Sequence, residues 1–321
     1  MALCMTRRQA VTAMVTSCLT AGGTTGCATP QALRLGIHPW PGYEPLYLAQ
    51  ELGWMPSGVA LVRGGAASDS LKGLRSNELD AACLTLDEVL LARSEGMPLV
   101  VVAVLDESVG ADQVLGRVPR PPRGWRGARV GFEPSTVGHL VFNLWLRHEG
   151  LNIRDVRTVH LTPPEQRAAW DAGQVDVVIS YRPDANALRA RGGVVLYDSS
   201  HFPSLVLDVL AVRSSRLGWQ DEPLVEGLVH AHFRGLDHLR INPEDAMRRI
   251  ARVQNTTYAD TVSSFSGLNL PQVTVNRAML RPGGQLVPVA ERLMATMTDV
   301  RLLPGPVDLD GLGTDRFLPR G

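Results

Sequence analysis

The chain has 321 residues with 32 basic and 32 acidic side chains, a formal net charge of +0, 45% hydrophobic residues and 5% aromatic ones. That composition suits a soluble globular protein large enough for two lobes, and it excludes a coiled coil, a disordered tail and a many-span membrane protein. Balanced charge speaks against a nucleic-acid binder with a strong phosphate field, and because Lys72 is the only lysine the arginine bias reads as base composition of the coding sequence.

Residues 1–26 read as an export signal. Arg7 and Arg8 precede a weakly apolar stretch from Ala10 to Leu19, and no acidic residue occurs before Glu44. The twin arginine and modest hydrophobicity resemble Tat signals more than Sec signals. Thr24-Thr25-Gly26-Cys27 has the form of a lipobox in which Cys27 is acylated, although Thr24 stands where leucine is preferred. Val15-Thr16-Ser17-Cys18 fits the four letters better but leaves too short an apolar stretch, and a cleaved signal without lipid is the alternative. Removing residues 1–26 removes Arg7 and Arg8 and no acid, which leaves 30 basic against 32 acidic residues, net −2. Cys4 and Cys18 leave with the signal, so with Cys27 lipidated only Cys83 is free, with no disulfide framework and no cysteine pair for zinc.

After a linker over 27–32, short β-branched runs alternate with helical periods, the pattern of α/β architecture. Leu33 to Ile37 is a strand. The loop His38-Pro39-Trp40-Pro41-Gly42-Tyr43 follows, then a helix carrying Pro45, Leu48, Ala49 and Leu52 on one face and stopping at Gly53. Val59 to Val62 and Asp80 to Leu84 are strands, and Ser68 to Arg75 is the helix between them. Thr85-Leu86-Asp87-Glu88 has capping-box spacing for a helix running to about Gly96, and Leu99 to Leu105 is a buried strand.

This unit occurs twice. Ala128 to Pro134 matches Leu33 to Pro39 at an offset of 95 and leads into a helix with Val137, Leu140, Val141, Leu144 and Trp145 on one face, ending at Gly150. Ala172 to Ser180 echoes Ser76 to Leu84 at an offset of 96. Two β-α-β-α-β units in register predict two lobes of one topology. After Val206 to Val212 come long amphipathic helices, one with Leu224, Leu228, His232 and Leu236 along a face and another opened by Asn242-Pro243, so the chain is expected to cross back to the first lobe. The expected organisation is a first lobe over 33–106 and 209–321 and a second over 107–208, with hinge strands near 104–112 and 206–212. The last 21 residues, rich in proline and glycine, read as a surface wrap.

With these elements in order, the chain resembles the substrate-binding proteins of ABC transporters, specifically the nitrate/sulfonate/taurine group that also holds the thiamine-precursor binders. The resemblance covers 33–320. It rests on Pro41 to Ala49 followed by Glu51-Leu52-Gly53, on Asn77 to Ala82, on Thr85 to Glu88, on Val130-Gly131 with Thr136 to His139, and on Pro163-Pro164-Glu165-Gln166. It implies a type II periplasmic-binding-protein fold, a ligand closed between two lobes, and delivery to a membrane permease; the chain is separately expected to be an exported monomer without a cofactor. The first loop departs from that of the nitrate binders.

Open α/β sheets bind ligands at the carboxyl ends of their strands, where helix N-termini present free N–H groups. Here those positions hold Trp40, Tyr43, Ser68, Asp87, Ser135, Thr136 and Tyr181, and the hinge adds Asp106 and Asp208. Each also has a plain structural use, Thr85 with Glu88 as a capping box, Ser68 and Ser135 as N-caps, and Asp80 and Asp176 as the ends of turns before strands. Aromatic faces beside Asp87, Asp106, Glu133 and Asp208 suit an ammonium or a protonated heterocycle, whereas Arg182 and the helix starts at Ser68 and Ser135 suit an anion. The ligand expected is therefore amine-bearing or zwitterionic, taurine-like or pyrimidine-like.

Arg117, Arg120, Arg123, Arg126 and Arg129 recur every third residue through a proline-rich stretch, which reads as a solvated linker or a permease-docking face. The eight histidines form no HExxH and are expected mostly at the surface or as caps, and no metal site is expected. The rival reading is an enzyme on the same fold, of the thiamine-pyrimidine or menaquinone-pathway kind, for which His38 or His139 would serve. The export signal and the lack of a phosphate loop, nucleophile elbow or metal cluster speak against it. A ligand-sensing domain of a regulator would need an attached DNA-binding or signalling module.

Overall fold

In the computed structural model the described residues are 32–320, apart from 120, 122, 123, 134 and 135. The signal segment with Cys27 lies outside them, as does Ser135. The first unit runs β1 (Leu33–Ile37), α1 (Glu44–Glu51), β2 (Val59–Arg63), α2 (Ala67–Arg75), β3 (Ala81–Thr85) and α3 (Leu86–Ser94), and β4 (Leu99–Ser108) follows it. The chain then enters a second sheet through β5 (Asp112–Gly116), β6 (Arg129–Phe132), α4 (Thr136–His148), β7 (Arg157–His160), α5 (Pro163–Asp171), β8 (Val177–Tyr181), α6 (Asp184–Ala190) and β9 (Val194–Asp198). It returns as β10 (Leu207–Arg213), α7 (Glu222–Ile241), α8 (Pro243–Gln254), α9 (Tyr258–Ser264), β11 (Leu268–Asn269), α10 (Val273–Leu280) and α11 (Leu286–Asp299).

The two sheets repeat one plan. The first has the order β11-β4-β10-β3-β1-β2 and the second β7-β6-β8-β5-β9. In each, three parallel strands of a β-α-β-α-β unit are followed by an antiparallel strand that comes from outside the unit, β10 on β3 and β5 on β8. The repeat extends to side chains. Asp80, just before β3, accepts hydrogen bonds from the backbone N–H and Nε of Arg34, both at 2.9 Å. Asp176, just before β8, accepts the same pair from Arg129 at 2.8 and 3.0 Å. A carboxylate that ends the turn therefore also pins the start of the neighbouring strand.

Each sheet carries its own core, with Leu35, Ile37, Leu84 and Leu210 buried in the first and Val130, Phe142, Trp145 and Val177 in the second. Helix α7 lies against α1 so closely that Gly235 abuts the Pro45 carbonyl. The C-terminal segment does more than wrap the surface, since Leu312, Phe317 and Leu318 are buried and Gly313 bridges to Val101 of β4. Of the arginine series, Arg117, Arg126 and Arg129 lie among the described residues. Arg117 stacks over Trp170 at 4.3 Å and donates to the Val175 carbonyl, Arg126 pairs with Asp155, and Arg129 pairs with Asp176. A turn spans 124–127, between Arg117 and Arg129.

Candidate functional site

The site begins with the loop after β1. Trp40 leads a single 3-10 turn, Pro41–Tyr43, whose proline sets φ for the turn and whose glycine leaves room for what lies behind it. The Trp40 Nε1 donates to Asp106 Oδ2 at 2.9 Å and the Tyr43 hydroxyl donates to Asp208 Oδ1. An added Cβ on Gly42 would lie 1.7 Å from Asp106 Oδ2, so a side chain here must displace the Asp106 carboxylate.

Three neighbouring strands supply the floor. Asp208 on β10 is paired with Asp106 on β4 at one side and with Thr85 on β3 at the other, which places three polar side chains in one row near the strand ends. Thr85 precedes α3, and its backbone N–H donates to Glu88 Oε2 at 3.0 Å. The capping role read for Glu88 is thus present, but it uses one oxygen. Asp87 beside it is fully buried.

The second sheet closes over this floor. Asp112, the first residue of β5, is paired with Tyr181, the last of β8. Glu133, directly after β6, accepts from the Tyr181 hydroxyl at 3.1 Å and from Ser68 Oγ of the first lobe at 3.3 Å. The Trp40 and Tyr181 rings meet edge to face across the boundary, with centroids 5.6 Å apart. Between the sheets is a small, partly open chamber with about 20 Å³ of free space, lined by His38, Trp40, Thr85, Glu88, Asp112, Tyr181 and Asp208. Outside Tyr181 an open groove of about 570 Å³ runs past Pro39, Pro163, Pro164 and Arg167.

Burial governs the electrostatics. It pushes the carboxyls of Asp87, Glu88 and Asp106 up, and Asp208 well up, with neighbouring carboxylates adding to it, and it raises Asp112 to about 6. Burial acts oppositely on His38, which falls to about 4 and is neutral at neutral pH. The chamber therefore favours whatever supplies positive charge, whether protons or a ligand.

Of the residues expected at the site, Trp40, Tyr43, Asp87, Asp106, Tyr181 and Asp208 come together here. Thr136 opens α4, next to the chamber-lining Val137. Ser68 is not an N-cap, because α2 starts at Ala67 and Asp69 Oδ2 takes the N–H groups of Gly65 and Ala66. Arg182 is buried, and its Nη1 donates to Asn186 Oδ1 at 3.1 Å and to the Ser263 carbonyl at 2.9 Å, while its Nε has no hydrogen-bond partner among the described residues. His38 is buried in the chamber wall, and His232 is buried on the apolar face of α7 where the helical pattern placed it. Asp112 escaped sequence reasoning because its strand has no helical or alternating signature. Among the described residues no group of His, Cys, Asp and Glu is arranged to hold a metal ion. No described helix is long and apolar enough to cross a membrane.

Residues 40–246 match the family described as NMT1/THI5 like. The chain belongs to the NMT1/THI5-like family. Within 195 residues it is 28% identical to an Escherichia coli K12 protein named as binding aliphatic sulfonates, over 58% of this chain and 60% of that relative. It is 26% identical over 147 residues to the taurine-binding periplasmic protein of the same organism, over 44% of this chain and 46% of the relative. The aligned stretches thus span less than two thirds of either relative. The fold is similar to that of the alkanesulfonate-binding protein SsuA from Xanthomonas axonopodis pv. citri bound to MOPS, with a TM-score of 0.74 at 20% identity over 88% of this chain and 98% of that one.

Proposed function

We propose that this NMT1/THI5-like chain is the extracytoplasmic solute-binding component of an ABC importer, closing two lobes on a small amine-bearing or zwitterionic organic molecule and handing it unaltered to a membrane permease. The observation that carries the reading is the meeting of Trp40 with Tyr181 over buried carboxylates contributed by both sheets. Ligand contacts on both sides of such a boundary favour the shut state over the open one, which is all that capture requires. The residues assigned to the ligand are Trp40, Tyr43, Ser68, Asp87, Asp106, Ser135, Thr136, Tyr181 and Asp208. The segments 104–112 and 206–212 act as the hinge between lobes over 33–106 with 209–321 and over 107–208. Taurine, named for one Escherichia coli relative, is a zwitterion of this class, and that relative's periplasmic name supports an exported location.

The reading assigns no catalytic residue. His38 is the histidine an enzyme would use, yet its Nδ1 has no hydrogen-bond partner to set its tautomer, and burial holds it neutral. The exported monomer is anchored through an acylated Cys27.

Mass spectrometry of the protein purified without denaturation is expected to reveal a bound small organic molecule, released unchanged on unfolding. A converted product, or a chain that never carries a ligand, overturns the reading. Palmitate incorporation is expected in the wild type and absent in Cys27→Ala; equal incorporation removes the anchor.

A further inference from the structure

The two lobes touch at three places around the site. Trp40 meets Tyr181, Ser68 Oγ donates to Glu133, and on the outer side Arg182 Nη1 donates to the Ser263 carbonyl at 2.9 Å while Asn186 Nδ2 donates to Ser263 Oγ at 3.1 Å. With those contacts made, the chamber keeps about 20 Å³, which is room for about one water. The groove outside Tyr181 keeps about 570 Å³, within the range of about 300–1,000 Å³ in which pockets hold organic molecules. Tyr181 borders both spaces. The groove is walled on one side by Pro39, Asn255 and Asp260 and on the other by Pro163, Pro164 and Pro183. It therefore lies between the same two lobes whose approach forms the chamber.

The groove holds its own charges in balance. Arg167 and Asp184 pair with each other at 3.1 Å. Asp260 sits in the first turn of α9, where its Oδ2 accepts from Thr257 Oγ1 at 2.7 Å and the positive end of the helix offsets its charge. The start of α5 is a poor anion site, because Pro163 and Pro164 have no N–H and Glu165 Oε2 takes the Thr162 N–H at 2.8 Å. A charged group entering the groove would lose part of its water without gaining a free counter-charge from the described lining residues, at a net cost. An uncharged group loses little, and the flat faces of the prolines and Tyr181 give it apolar contact.

We infer that the ligand is longer than taurine, with an uncharged body lying in this groove against Tyr181 and Pro183 and only its amine end directed to the chamber. The inference rests on the binding-protein reading and extends it to the length and charge of the whole ligand.

Calorimetric titration of the purified chain with ethylammonium, phenylbutylammonium and the para-carboxylate of the latter tests it, because the three carry the amine alone, the amine with an uncharged body, and the amine with a charged one. Phenylbutylammonium is expected to bind about tenfold or more tightly than either of the others. Ala187, half-buried on α6, lines the groove, and Ala187→Trp fills it. In that variant, with circular dichroism unchanged, the affinities for phenylbutylammonium and ethylammonium are expected to come within about threefold of each other. Ala190→Trp takes its place if Ala187→Trp does not fold. Ethylammonium or the carboxylate binding as tightly as phenylbutylammonium, or an advantage that survives the tryptophan, overturns the inference and leaves the importer reading standing. If none of the three gives heat, the molecule that co-purifies decides: one longer than taurine with an uncharged body supports the inference, one of taurine's size or with a charged body overturns it alone, and an empty chain overturns both.

Discussion

Asp106 and Asp208 face each other across the antiparallel β4–β10 pair, and each is held by an aromatic donor from the same loop, Trp40 for the first and Tyr43 for the second. Two buried acids side by side cannot both be charged cheaply. Asp106→Asn preserves the shape and an acceptor for Trp40 while removing the repulsion. Its unfolding free energy at pH 8, from urea titration, is expected to rise by about 1 kcal/mol. Its affinity for the ligand is expected to fall about tenfold. A destabilised variant would mean that the pair attracts rather than repels.

The acids also set a pH dependence. Burial raises Asp112 to about 6 and Glu44 on α1 to about 8, and pushes Asp87, Glu88, Asp106 and Asp208 upward. An acid whose folded pKa lies above its unfolded one binds more protons when folded, so stability falls as pH rises between the two values. The thermal midpoint of the ligand-free protein is therefore expected to decline from about pH 4, where unfolded carboxyls titrate, to pH 8. Glu44→Gln, scanned by calorimetry, should leave the midpoint at about pH 4 unchanged and raise it at pH 8; a parallel curve would contradict the assignment.

Two glycines separate fold from site. An added Cβ at Gly235 would lie 2.0 Å from the Pro45 carbonyl oxygen, backbone against backbone, between α7 and α1. At Gly42 it would meet Asp106 and Trp40 side chains, which can move. Gly235→Ala is expected to cost about 3 kcal/mol in urea unfolding, and Gly42→Ala about 1 kcal/mol. In binding the order reverses, with Gly42→Ala losing the ligand and folded Gly235→Ala retaining it.

The repeated aspartates give a matched pair. The Asp80 side chain is 8% exposed and is held by Arg34 and Arg216, while that of Asp176 is 37% exposed and held by Arg129. Breaking a buried pair strands a charge; breaking an exposed one does not. Asp80→Ala is expected to cost about 3 kcal/mol. Asp176→Ala is expected to cost under about 1 kcal/mol. Equal losses in chemical denaturation would place the energy in the turn rather than in the ion pair.

What sequence alone determined is the repeated α/β unit and the first loop. Strand ends, most helix starts and the turn-ending Asp80 and Asp176 follow from local spacing, because burial periodicity and turn chemistry are read within a few residues. It also placed Trp40, Tyr43 and Tyr181 at strand ends. Tertiary structure alone decided which groups share the chamber. Asp112 meets Tyr181 through strand pairing between distant segments, Ser68 reaches Glu133 across the lobes, and Arg182 turns to α9 and away from the cavity. Such partners depend on how two separately built sheets come face to face, and no periodicity in either one carries that information.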